Sequence, residues 1–266
     1  MREPVKSGVS LIEEIENTSA TAPTLWWIGQ SGFVLKFHSI VFYIDPCFST
    51  PAGRTRTLVS PLTADQAVNA DLILCTHPHA GHMDPDALPG MLKASPRARV
   101  VLPKSAADHA LSIGIPFDRM TTTDSGLRVE YFKGGLYGRV YSVPSAHPDL
   151  DWTPLGGYPY LGYLIRFGEY TVYHAGDCRS YADIVQRLLP YNVTVALLPI
   201  NGRANFEIAE AGQLAEDIGA RWLVPMHYGA FAEQTADIGR FVDHMLGHRP
   251  TVGFKVLEPG EGWTAP

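Results

Sequence analysis

The chain has 266 residues, 45% of them hydrophobic and 18% charged, so it can bury a substantial core unaided, and a single domain spanning 1–266 is the expected organisation. The formal net charge is -6 and the basic residues are scattered, which excludes the footprint of a nucleic-acid binder. Cys47, Cys75 and Cys178 lie far apart without a CxxC pair, which excludes a disulfide framework and a thiolate zinc site. Residues 1–18 are charged throughout and lack the apolar stretch of a signal peptide or membrane anchor, so a cytoplasmic protein with no membrane partner is expected.

In chain order, a polar lead-in gives way to short runs rich in Trp, Val, Phe and Ile at 24–29, 32–37 and 40–44, broken by Gly, Ser and His. These read as strands joined by tight turns. Further strands are expected at 72–75, 99–102, 127–132, 139–144, 162–166, 170–174, 193–198 and 222–225. Apolar residues at three- and four-residue spacing predict helices over 105–111, 181–189, 208–218 and 235–245. Strands outnumber helices and alternate with them, which suggests an α/β arrangement of two packed sheets with helices outside. The densest irregular stretch is 145–160.

The apolar run before Cys75 ends abruptly in Thr76-His77-Pro78-His79-Ala80-Gly81-His82, three imidazoles on one loop. Loops at strand ends carry catalytic groups disproportionately, and imidazole suits zinc, iron, manganese or nickel. His147, Asp177 and His227 each follow an expected strand as well, so ligands from one edge of the sheets can converge without being adjacent in sequence. His38, His109, His244 and His248 read as structural, and His174 as undecided between the two roles. Asp84-Pro85 reads as a helix N-cap followed by proline, although Asp84 also lies near enough in sequence to be a ligand; Asp149 is a ligand or a turn residue. Asn201 and Arg203 offer an amide and a guanidinium for an anionic substrate group, with a turn and a surface arginine as the alternative. Tyr228 is a hydrogen-bond donor for an oxyanion or a packing residue.

The loop His77-x-His79-x-Gly81-His82, followed by His147, Asp177 and His227, resembles the HxHxDH signature of the metallo-β-lactamase superfamily. The resemblance implies a four-layer αββα sandwich. It implies that His77, His79 and His147 bind a first metal, His82 and His227 a second, and Asp177 both, with Asp45 supporting the site from behind. Trp26-Trp27-Ile28-Gly29, His174-Ala175-Gly176-Asp177 and Pro225-Met226-His227-Tyr228 are similar to the branch containing L-ascorbate-6-phosphate lactonase. Gly81 stands where the family has an aspartate, so the second site is expected to be weakened, leaving one or two ions, zinc or manganese.

A cation held this way lowers the pKa of bound water towards neutrality. The expected activity is therefore hydrolysis of a lactone or related ester by metal-bound hydroxide, with Asp177, His227 and Tyr228 as catalytic residues and a small-molecule substrate, anionic if Asn201 and Arg203 contact it. Phosphodiester hydrolysis, or metal binding without turnover, is the alternative. Self-association into a homo-oligomer is left open.

Overall fold

The structure, a computed structural model, describes residues 1–249 and 251–266. One sheet contains β1 (Thr24–Gly29), β2 (Gly32–Phe37), β3 (Ile40–Ile44), β4 (Leu72–Leu74), β5 (Arg99–Pro103), β6 (Met120–Thr123) and, from the end of the chain, β14 (Gly262–Thr264). The other contains β7 (Arg128–Lys133), β8 (Leu136–Pro144), β9 (Leu161–Phe167), β10 (Tyr170–His174), β11 (Val195–Pro199), β12 (Trp222–Met226) and β13 (Gly253–Phe254). Their orders are β14-β1-β2-β3-β4-β5-β6 and β13-β12-β11-β10-β9-β8-β7.

Each sheet begins with antiparallel neighbours, β1 to β3 and β7 to β10, then continues in parallel, β3 to β6 and β10 to β13. Parallel strands need crossover connections, and helices supply most of them. Against the first sheet lie α1 (Gly8–Asn17), α2 (Leu88–Ala94) and α3 (Ala107–Ser112); against the second lie α4 (Ile184–Leu188), α5 (Ile208–Asp217) and α6 (Ile238–His248).

Side chains alternate across each strand, and here both faces are covered, so the central strands are apolar throughout. On β1, Leu25 and Trp27 point between the sheets to meet Tyr163, Ile165 and Phe167 of β9, whereas Trp26 and Ile28 point outward to α1. The result is the expected four-layer αββα sandwich. No described helix is long and apolar enough to cross a membrane.

Several boundaries differ from the sequence reading. The lead-in contains α1, whose Leu11, Ile12 and Ile15 are buried under β1 and β2. The helix expected at 235–245 starts instead after Asp237, whose carboxylate accepts from the Gly239 and Arg240 amides as an N-cap. The helix expected at 181–189 narrows to Ile184–Leu188. The short elements α2, β6, β13 and β14 carry too few residues to show a period, and their placement comes from pairing and packing.

Because β1, β3 and β4 run the same way, as do β8, β10, β11 and β12, the C-terminal ends of all these strands can be brought to one edge of the sandwich. The loops bearing the histidines leave from that edge.

Candidate metal centre

β4 delivers Thr76 and His77, β8 delivers His147, β10 delivers Asp177 and β12 delivers His227. Gly176 makes the Asp177 turn possible. Its φ is +62, and a Cβ there would lie 2.9 Å from the Thr76 Cβ and 3.0 Å from the Leu161 carbonyl oxygen, so the two loops close on each other only around glycine. Gln30, Asp45 and His227 also have positive φ, at 52, 43 and 63. Three non-glycine residues in this uncommon conformation at one strand edge indicate backbone held against its preference by the surrounding contacts.

Asp177 is the hub. Its Oδ2 lies 3.4 Å from His147 Nε2 and 3.9 Å from His77 Nε2, while its Oδ1 lies 3.3 Å from His82 Nε2 and 3.0 Å from His227 Nε2. His79 Nδ1 is 3.0 Å from His77 Nε2. Two groups of donors result, His77, His79, His147 and Asp177 in one and His82, Asp177 and His227 in the other, with donor atoms in each within 4.8 Å of one another. Asp177, His77, His82 and His227 are buried, whereas His79 and His147 stand nearer the mouth.

The electrostatics of the cluster are set by burial and by its carboxylates. Burial holds His77 well below its ordinary pKa and also lowers His79, keeping both rings neutral, the form in which imidazole binds a cation. Burial works against a charge on His82 too, but the flanking Asp177 and Asp45 carboxylates outweigh it and push that ring up to about 10. Burial likewise disfavours the Asp177 anion, yet His82 and His227 hold it well below the usual carboxylate range.

Behind the donors lies a supporting layer. Asp45 accepts from the Thr76 amide at 2.8 Å and the Thr76 hydroxyl at 2.7 Å, and its Oδ2 is 2.7 Å from His82 Nδ1. His174 resolves as structural: its Nε2 donates to the Ser31 carbonyl at 2.8 Å and its Nδ1 accepts from the Gly176 amide at 3.1 Å, fixing the β1–β2 turn against the Asp177 loop.

A cavity of about 490 Å³ opens onto the cluster, and Asn201 and Arg203 line it. Arg203 donates to the Glu233 carbonyl at 3.1 Å, and Asn201 accepts from Asn205 at 3.0 Å. Gln30, Arg54 and Asn205 also line this cavity and were missed in the sequence. Nothing in their local patterns distinguishes them, because loops remote from the HxH segment bring them there. The Arg54 guanidinium forms no ion pair or hydrogen bond among the described residues, which leaves its charge free to meet a ligand.

Tyr228 corrects an expectation. It is buried on the far side of its strand end, its ring stacked on Trp27 at 4.3 Å, and its hydroxyl donates to the Leu257 carbonyl at 2.6 Å. That proton is committed to the core, so Tyr228 offers no donor to an oxyanion. Neither candidate replacement for the missing loop aspartate reaches the cluster. The Asp84 carboxylate accepts from the amides of Phe48, Ser49, Asp86 and Ala87 and from the Ser49 hydroxyl, tying one loop to the turn before α2. Asp149 is exposed, and its carbonyl accepts from the His147 amide. At Gly81 itself an added Cβ would meet nothing within 4 Å.

The donor set fits a divalent cation: nearly all nitrogen, around one shared carboxylate, and with the buried His227 Nε2 making no hydrogen bond despite its polarity. Comparison with known proteins agrees. The Beta-lactamase superfamily domain matches residues 24–227. A UPF0173 protein from Pyrococcus furiosus is 32% identical over 227 residues, covering 84% of this chain and 98% of the relative. A UPF0173 metal-dependent hydrolase from Hyperthermus butylicus is 29% identical over 240 residues, covering 88% and 96% respectively. The structure of a metallo hydrolase from Ignicoccus hospitalis superposes with a TM-score of 0.73 at 25% identity, covering 92% of this chain and 98% of that one. The chain thus belongs to the metallo-β-lactamase superfamily and, within it, to the UPF0173 metal-dependent hydrolases.

Proposed function

We propose that this protein is a metal-dependent hydrolase that opens a lactone or related ester, with zinc or manganese held first by His77, His79, His147 and Asp177. The observation that carries the reading is Asp177, a buried carboxylate whose two oxygens face four imidazole nitrogens at the floor of an open cavity. A cation bound there supplies an activated water and polarises the substrate carbonyl. The chain's own residues do the rest. Asp177 orients the attacking water through a carboxylate oxygen, and its depressed pKa keeps it an acceptor. Arg54, Arg203 and Asn201 line the cavity, where they bind an anionic portion of the substrate. His227 acts as a ligand of the second group rather than as a proton donor.

The likeness of the His174-Ala175-Gly176-Asp177 and Pro225-Met226-His227-Tyr228 segments to the ascorbate-6-phosphate lactonase branch favours a lactone. A second reading, phosphodiester hydrolysis, is favoured by one observation: the two donor groups share Asp177, an arrangement suited to paired ions that straddle a phosphate.

The test is turnover by protein reconstituted with zinc or manganese, on matched panels of lactones, carboxylic esters and phosphodiesters. Lactone or ester hydrolysis that disappears in Asp177→Ala is expected. Faster phosphodiester cleavage would establish the second reading. Stoichiometric metal without turnover on any panel would make the chain a metal-binding protein rather than a hydrolase.

A further inference from the structure

A histidine binds a cation through the nitrogen that lacks a proton, so whatever stands behind the ring decides whether the facing nitrogen is available. Three rings of the cluster have an acceptor behind them. His82 Nδ1 lies 2.7 Å from Asp45 Oδ2 and His147 Nδ1 lies 3.0 Å from the Ala204 carbonyl. His77 Nδ1 lies 3.0 Å from the Thr76 hydroxyl, which gives its own proton to Asp45 and so accepts from the ring. In each, a proton on Nδ1 leaves Nε2 as the atom directed at Asp177 and the shared centre.

His227 breaks the pattern. Its Nδ1 lies 3.0 Å from Gln30 Nε2 and 3.5 Å from Asn205 Nδ2, both of which only donate. Accepting from an amide at Nδ1 puts the proton of the neutral ring on Nε2, the atom 3.0 Å from Asp177 Oδ1, and that tautomer has no lone pair for a cation. Three buried atoms around this ring meanwhile make no hydrogen bond, His227 Nε2, Gln30 Oε1 and Asn205 Oδ1, in residues only 1%, 3% and 6% exposed.

We propose that Gln30 is a two-position selector for the second group of donors. The two ends of a carboxamide are nearly the same size, and its terminal torsion is soft and roughly two-fold. Half a turn brings Oε1 to Nδ1 in place of Nε2. One proton then leaves His227 Nε2 and one is taken up at Nδ1, so the ring stays neutral and Nε2 becomes a ligand. The backbone need not move: the Gln30 carbonyl accepts from the Trp27 indole at 3.1 Å and from the His227 amide at 3.3 Å, which fixes the side chain's base beside the ring it controls. The second group has no loop carboxylate, because Gly81 replaces it, and depends on His82 and His227 beside the shared Asp177. Gln30 is therefore a positioning residue for that group. The inference rests on reading His227 as a ligand.

The experiment compares wild-type protein with Gln30→Glu, a permanent acceptor, Gln30→Met, which neither donates nor accepts, and His227→Ala. Each is also made in a Gly81→Asp background, where the added carboxylate brings the second ion into measurable range. Zinc calorimetry should show second-ion affinity weakened about 10–100-fold in Gln30→Met and preserved or tightened in Gln30→Glu, with the first ion unchanged. Long-range proton–nitrogen NMR of chelator-treated protein should find His227 protonated at Nε2 in the wild type and at Nδ1 in Gln30→Glu. Equal second-ion affinity in Gln30→Met and its parent would overturn the selector. So would a wild-type ring already protonated at Nδ1. Unchanged second-ion affinity in His227→Ala would instead overturn the ligand reading, which separates the two failures.

Discussion

At the scale of single residues, the site is an arrangement of protons as much as of ligands. His79 and Asp177 contribute donor atoms to the first group, whereas His244 sits on α6 outside the cluster, stacked on His248 at 4.9 Å. His79→Ala and Asp177→Ala should each lower first-ion affinity by about 100-fold or more, while His244→Ala retains one ion per chain by elemental analysis. Equal loss in all three folded proteins would strip the assignment of meaning. His82 supplies a pH-dependent signature. Held up to about 10 by Asp177 and Asp45, it carries a proton at neutral pH in chelated protein, and cation binding at Nε2 must displace one. Filling the second group at pH 7–8 should release about one proton, a release that fades as pH rises towards 10. Calorimetry in buffers of different ionisation heat measures it, and zero release would place His82 outside the ligand set. Gly81 has open space around it, so Gly81→Asp should fold and tighten the second ion by about tenfold or more. Two tightly held ions in the unmodified protein would refute a weakened second site.

At the scale of elements, what the sequence reveals depends on whether a segment carries its own period. Thr24–Gly29, Gly32–Phe37, Ile40–Ile44 and Tyr170–His174 are readable as strands to the residue, because burial on both faces makes them continuous apolar runs bounded by Gly, Ser or His. The six proposed metal donors are readable for a related reason: each follows such a run. The supporting residues are not. Gln30 and Arg54 reach the site through a turn conformation and a loop path that only the folded chain defines, and Tyr228, adjacent to His227, points the opposite way because neighbours at a strand end diverge. Asp84 shows the same ambiguity from the other side. The expected cap is not formed, since α2 begins at Leu88 with Ala87 as its N-cap; Asp84 instead accepts from the Asp86 and Ala87 amides of the turn before the helix and also binds Phe48 and Ser49, a long-range contact with no local signal. Removing it strands four backbone amides and a hydroxyl at once, most of them part-buried, so Asp84→Ala should cost about 2–3 kcal/mol in denaturant unfolding while leaving metal stoichiometry intact. Loss of metal at preserved stability would reinstate Asp84 as a ligand.

At the scale of the whole molecule, the two sheets meet twice, once through the apolar interior and once at the histidine–aspartate cluster. The interior is non-directional and fills the space between β1 to β5 and β8 to β12. The cluster is directional, because His77, His79 and His82 leave the first sheet while His147, Asp177 and His227 leave the second. A cation in either group therefore bonds one sheet to the other, and its binding energy adds to the stability of the fold as a whole. At a zinc concentration about 100 times the dissociation constant this linkage contributes about 2.7 kcal/mol. For a chain of this size that corresponds to a rise of roughly 5–10 °C in Tm. Differential scanning calorimetry of chelated and zinc-loaded protein should show that rise in the wild type and in His244→Ala. It should largely vanish in His79→Ala and in His147→Ala, although these two ligands come from opposite sheets and share no element. A zinc-dependent rise that survives in both would mean the ion sits elsewhere, since a bond that joins the sheets is lost whichever end is cut.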